Sequence, residues 1–400
     1  MVNITLEELG RPLIYAVDAA STAGLAVPLA RHGNSVRAWV RSLQGVQKEG
    51  ITLSTRTGRE WRFACDEGVH LGGLNQAPNP LGYVGVGIAA SFMTELRVLA
   101  AMRNIALIDP VVSVESFYYR DGSFPKGTMV SGALSPEVRL TCASGADAVD
   151  MRGLLMDAIA ASPLNGLIRD EKISRFAIFH NGVEIDPGEV TSLAPPRLTD
   201  PGDPIAAIRP ATGYETHQPL ATATESEESM IARLLENPQP APVLPGSQKL
   251  LHLRTTCRLR PDGTYECLRE QFAQVSQSWT CIVDDRMDAA DAIAPDAASY
   301  FAVGVAFCFM TQIGRFSHIA KLPLDGYRVV QDLHLTRGGA SGGGGEAGTG
   351  DPVETHVFID SDLTDDDAGR VVLVAEKTCF LHALCRDRAK VRILNSVVRT

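Results

Sequence analysis

The sequence predicts an α+β protein built from two similar halves, on three observations. Tyr83–Thr94 and Tyr300–Thr311 are near copies, the copies sit at one fixed offset, and each is flanked by segments alternating apolar and polar residues. Ser91 faces Cys308 across this repeat, 217 positions on, and Ser162 faces Cys379 at the same spacing. Arg169-Asp170 and Arg386-Asp387 keep it too. A repeat this long is two homologous domains and not a solenoid. Two cysteines of one half therefore stand where the other half has two serines.

The alternating segments come first in each half. Val36–Val40 and Gly50–Thr55 read as antiparallel strands, as do Leu251–Thr255 and, after a Pro261-Asp262-Gly263 turn, Thr264–Leu268. Long apolar helices follow at about 81–103 and 297–319, hydrophobic nearly all round and so expected to be buried. Further strands are expected at 111–118, 137–142, 327–334 and 355–360, with a loose glycine-rich loop at 337–346. Thr364 with Asp367 forms a capping pattern for a helix running to about Cys385, matched by 147–168 in the first half. Short strands at 176–179 and 390–394 end the halves. The expected organisation is a first domain over 1–193, a proline-rich linker over 194–248 with one short helix near 225–236, and a second domain over 249–400.

Composition narrows the function classes. At 400 residues and 45% hydrophobic, each half can bury its own core. A net charge of −10 without a basic patch argues against nucleic acid and anionic membranes as partners. The start of the chain lacks the pattern of a signal peptide and the apolar runs contain glycines, so a cytoplasmic protein without membrane spans is expected. Eight cysteines without a Cys-x-x-Cys make neither a disulfide framework nor a zinc site, so no metal or other cofactor is expected.

Strands, a helix with one cysteine, more strands, and a second helix with another cysteine about 70 residues on resemble the OsmC/Ohr family of osmotically inducible and organic hydroperoxide resistance proteins. Ala306-Phe307-Cys308 and Leu363–Cys379 carry the likeness in the second half; Asn79-Pro80 and Ser162-Pro163 carry it in the first. The resemblance covers nearly all of the chain outside the linker and termini. It implies two tandem OsmC-like domains paired as a pseudo-dimer within one chain, possible further self-association, and a single thiol site.

The function this implies is reduction of organic hydroperoxides. Cys308 attacks the peroxide, Cys379 resolves the sulfenic acid, the substrate is a small hydrophobic peroxide, and a dithiol reductant recycles the pair. Ser91 and Ser162 then form a degenerate site. The family's activating arginine comes from an early strand, for which Arg254 and Arg258 are candidates, with Arg37, Arg41, Arg260 and Arg269 beside them. Gln312 and Arg315 share the helical face of Cys308, and Glu376 and His382 that of Cys379. Where the peroxidases carry a glutamate about ten residues before the cysteine, this chain has Ala298. That departure and the missing proline after Cys379 keep two other readings open: an enzyme using Cys308 for hydrolytic or carbon–sulfur chemistry, and a non-catalytic ligand-binding or redox-sensing protein.

Overall fold

The computed structural model describes residues 4–22, 25–26, 28–124, 126–212, 218–240, 242, 244, 249–286, 291–394 and 397–399. Before the proline-rich region it forms α1 (Leu6–Leu9), β1 (Ile14–Ala16), β2 (Gly33–Ser42), β3 (Lys48–Ser54), β4 (Glu60–Cys65), α2 (Pro80–Met102), β5 (Ile108–Asp121), β6 (Val130–Ala133), β7 (Glu137–Ala143), α3 (Ala148–Ala161), α4 (Pro163–Arg169), β8 (Arg175–His180) and β9 (Val183–Ile185). After it come β10 (Ala221–Glu225), α5 (Glu227–Glu236), β11 (Lys249–Leu259), β12 (Tyr265–Ala273), β13 (Ser276–Val283), α6 (Ala297–Ala320), β14 (Gly326–Thr336), β15 (Glu354–Asp360), α7 (Asp365–Thr378), α8 (Phe380–Arg386), β16 (Arg392–Ile393) and β17 (Val397–Arg399).

The strands make two large, mainly antiparallel sheets, and each takes strands from both halves. One runs β1-β4-β3-β2-β14-β15-β8-β9; the other runs β10-β13-β12-β11-β5-β7-β16, with β6 on β5 and β17 on β7. The joints repeat the offset seen in the sequence. β2 meets β14 with Arg37 opposite Asp332, and β11 meets β5 with Arg254 opposite Glu115, so all four partners are related by 217 positions. Each joint is closed by an arginine–carboxylate pair: Arg37 Nε lies 2.6 Å from Asp332 Oδ1, and Arg254 Nε lies 2.5 Å from Glu115 Oε1.

Helices α2 and α6 pack on each other between the sheets, α2 against β11 and β5 and α6 against β2 and β3. Asn79 caps α2, with Pro80 in its first turn, and Asp296 caps α6 by accepting from Ser299 N–H. The close crossing requires glycine. A Cβ on Gly87 would stand 2.6 Å from the Ala297 carbonyl, and one on Gly304 would stand 2.9 Å from that of Pro80. By length and composition both helices could cross a membrane, contrary to the expectation from their glycine content. Of their most apolar windows 78% and 94% is buried inside the fold, which identifies them as core helices.

Three expectations are corrected. The helix expected over 364–385 is broken at Cys379, whose φ of −78° and ψ of 116° are not helical; it ends α7 and starts α8. Ser162 makes the same break between α3 and α4, where Pro163 withholds its backbone donor. The glycine-rich loop is also not loose. Gly338, Gly339 and Ala340 are buried, and Glu95 accepts hydrogen bonds from the N–H groups of Ala340 (2.9 Å) and Ser341 (3.0 Å). Lastly, the described part of 194–248 is built into the sheets. β10 pairs with β13, and Ile205 and Ile208 bury against Trp39, Ile51, Val330 and Phe358 on the outer face of the first sheet.

Candidate functional site

Cys308 sits in the middle of α6, and Cys379 sits at the turn between α7 and α8. Both are buried, Cys308 3% exposed and Cys379 fully enclosed. The two thiols are close enough for the Cys308 sulfur to act on Cys379. Burial and then the neighbouring Cys308 sulfur push the Cys379 thiol well above its ordinary range. The amides of His382 and Leu381 face the Cys379 sulfur and pull the other way without closing a cap hydrogen bond. Cys379 is thus held as a protonated thiol.

Two arginines converge on this pair. Arg315, two turns along α6 from Cys308, and Arg120, at the end of β5 from the first half, both feel the Cys308 sulfur. Burial, and then the charge of Arg315, lowers the Arg120 guanidinium to about 10; burial also lowers that of Arg315. Among the described residues neither has a carboxylate within salt-bridge distance. Arg120 lies over the Phe380 ring and Arg315 over Phe124, Arg315 donates to Gln312 Oε1 at 3.1 Å, and Arg120 Nε is buried without a partner. Both guanidiniums are half-buried, and the Glu67 carboxylate is the negative charge that acts on each of them.

The carboxylate nearest in this network is Glu67, from the segment after β4. It accepts from Thr311 Oγ1 at 2.7 Å and pairs with the buried Lys48 ammonium at 3.5 Å. Ala298 offers no acid, and Asp296 is occupied as the α6 cap and by Arg56. Next to this network opens a cavity of about 920 Å³. Met310, Leu71, Leu324 and Tyr327 give it apolar walls, Lys48, Arg315 and Lys321 give it cationic ones, and among the described residues no Asp or Glu lines it.

The serine half is arranged on the same backbone plan. Ser91 Oγ and Ser162 Oγ are 2.7 Å apart. The cations are rearranged, however: at the offset of 217, Arg315 corresponds to Val98 and Lys48 to Tyr265, to whose hydroxyl the neighbouring Arg97 donates at 3.1 Å. Arg120 corresponds to Arg337, which donates to the Gly33 carbonyl instead. Glu95, the counterpart of Gln312, holds the glycine-rich loop against this site, and Gly339 and Gly348 donate to the carbonyls of Ala161 and Ala160 beside Ser162.

The other sequence candidates are placed elsewhere. Thr255 packs under α2 at Gly85, so strand alternation turns Arg254 and Arg258 to the opposite face of β11, where Arg254 pairs with Glu115. Glu376 is paired with Arg386 at 2.8 Å. The ring of His382 packs on Phe176 and Phe309, and its Nε2 meets Gln331 at 3.0 Å. Burial lowers His382 to about 3, so its ring is neutral. Gln312 and Arg315 do lie together beside Cys308. Arg120 and Glu67 were missed; aligning Tyr118–Gly122 with Leu335–Gly339 at the same offset pairs Arg120 with Arg337 and would have marked the position.

No family model and no curated relative matches the sequence. Among solved structures, the chain is similar to an OsmC-like hydroperoxide resistance protein from Jannaschia sp. CCS1, at 18% identity over 38% of this chain and 99% of that one, with a TM-score of 0.26. That likeness is too slight for any inference to rest on it.

Proposed function

We propose that the protein is a thiol peroxidase with one active site, formed by Cys308 and Cys379 where two OsmC-like halves pair as an intrachain pseudo-dimer. The observation that supports this reading is that Cys308 and Cys379 act on one another where α6 passes the turn between α7 and α8, with Arg120, Arg315 and Glu67 in the same electrostatic neighbourhood. Cations beside a cysteine favour the negative charge its nucleophilic form carries. The Cys308 thiolate attacks the outer oxygen of an organic hydroperoxide and the O–O bond breaks. Cys308 becomes a sulfenic acid, and the departing alkoxide takes up the proton that the thiol had lost and leaves as the alcohol.

Cys379 takes the second step in this reading. Its thiol attacks the sulfenic sulfur, the S–S bond forms, and water leaves. A dithiol reductant then returns both thiols by exchange and is itself oxidised to a disulfide. The apolar and cationic walls of the cavity beside α6 suit a peroxide with an apolar body, and an acidic group on that body would meet Lys48, Arg315 or Lys321.

The test is peroxide consumption with a dithiol donor. Cys308→Ser is expected to abolish turnover, while Cys379→Ser is expected to stop after about two to three equivalents, one to the sulfenic acid and the rest to the sulfinic or sulfonic acid found at Cys308 by intact mass. Unchanged turnover in Cys308→Ser overturns the proposal. Full multiple turnover in Cys379→Ser would remove the resolving role.

A further inference from the structure

The outer face of the first sheet, opposite the helices, carries a polar cluster that the thiol chemistry does not use. Asp332 and His334 on β14 and Glu354 on β15 project to one face, since they lie two apart on one strand and opposite across the ladder. All three are buried, and their ligand-type atoms lie within 4.8 Å of one another.

The hydrogen bonds around His334 set its state. Ser35 Oγ lies 3.2 Å from the Leu29 carbonyl and 2.9 Å from His334 Nδ1. With the Ser35 hydrogen on the Leu29 carbonyl, Nδ1 carries the ring proton and Nε2 keeps its lone pair; with it on Nδ1, Nε2–H points at Glu354 instead. Nε2 is buried with no hydrogen-bond partner, 3.5 Å from Glu354 Oε2. In the first arrangement, two electron-rich atoms facing each other in an enclosed site call for a positive charge between them.

We propose that Asp332, His334 and Glu354 bind a divalent transition cation of the manganese or zinc type. One imidazole and two carboxylates suit such an ion. Arg37 holds both oxygens of Asp332 and Arg31 both of Glu354. Each oxygen retains a second lone pair, so the arginines orient the ligands from outside, as hydrogen-bonded outer partners do at metal sites. Arg31 is the entry. Its side chain is 46% exposed and also reaches Asp351 at 3.5 Å, so it can give way to an entering cation and remain beside Glu354 as its outer partner. Bound there, the ion ties β14 and β15 of the second half to the segment that Arg31 and Ser35 bring from the first.

The probes are manganese in solution and zinc in crystals, both with the full chain; Mn²⁺ has little affinity for thiols, which removes the cysteines as competitors. Titration calorimetry is expected to show one Mn²⁺ site per chain, weakened at least tenfold in His334→Gln with an unchanged circular dichroism spectrum. Crystals of the unmutated protein soaked in Zn²⁺ are expected to show an anomalous peak about 2.1 Å from His334 Nε2, which keeps the test open if the variant does not fold. Absence of both the heat and the peak overturns the proposal, as does a His334→Gln protein that binds as tightly as the original. A protonated His334 bridging to Glu354 would give that negative outcome.

Discussion

Ser91 Oγ and Ser162 Oγ stand 2.7 Å apart on the same backbone plan that brings Cys308 against Cys379. The contact between a central helix and the break after a second helix is thus a property of the fold in both halves. What differs is everything around it. The thiol pair is approached by Arg120, Arg315 and a cavity, whereas the hydroxyl pair is covered by the glycine-rich loop that Glu95 holds. On the proposed function, reactivity depends on these surroundings and not on the contact alone.

That separation can be tested by moving the thiols. In a chain carrying Cys308→Ser and Cys379→Ser, the double change Ser91→Cys with Ser162→Cys is expected to form a disulfide on oxidation. Closing a segment of this length stabilises by about 4 kcal/mol on chain-entropy grounds, visible as a raised urea midpoint under non-reducing conditions. No hydroperoxide turnover is expected, because Val98 stands in the place of Arg315, Arg337 turns to the Gly33 carbonyl, and the glycine-rich loop covers the pair. Turnover near the original rate would show that the thiol pair suffices and that the arginines are incidental.

The arginines give the second prediction. Arg120→Met and Arg315→Met are each expected to slow the reaction of Cys308 with an organic hydroperoxide at neutral pH by about 10- to 100-fold, the scale of losing one cation beside a partly buried thiolate. Arg254→Met and Arg258→Met lie on the far face of β11 and are expected to leave the rate within about twofold. Stopped-flow measurement of the single reaction step separates these variants from effects on recycling.

The sequence showed the repeat, the serine-for-cysteine exchange and the two core helices because each is a local pattern or a fixed spacing. Arg120 was hidden for a physical reason: it reaches Cys308 from the other half, through pairings such as β2 with β14 and β11 with β5 that join strands hundreds of residues apart. Arg254 and Arg258 sit on a strand of the right half, but alternation turns them outward once Thr255 packs under Gly85. The loop at 337–346 looks free by composition, yet its glycines let backbone N–H groups close on Glu95, a partner that no local pattern reveals.

The buried histidines make stability depend on pH. Burial lowers His356 to about 4 and His382 to about 3, against an ordinary value of 6.5. As pH falls below about 6.5 the unfolded chain takes up these protons while the folded chain does not. Stability is therefore full above that pH and is lost as pH falls toward about 4, and each histidine contributes a slope of about 1.4 kcal/mol per pH unit within its window. Glu95 and Glu376, whose carboxyls burial raises, act in the opposite sense near the acid end, so the comparison must be made between variants. His382→Gln removes one titrating group and keeps a polar side chain near Gln331. Urea midpoints between pH 6.5 and 5 are expected to fall less steeply in this variant than in the original, by about one proton's slope. Parallel curves would mean that His382 accepts its proton in the folded state, and then a charged imidazole beside Cys379 would have to enter the mechanism.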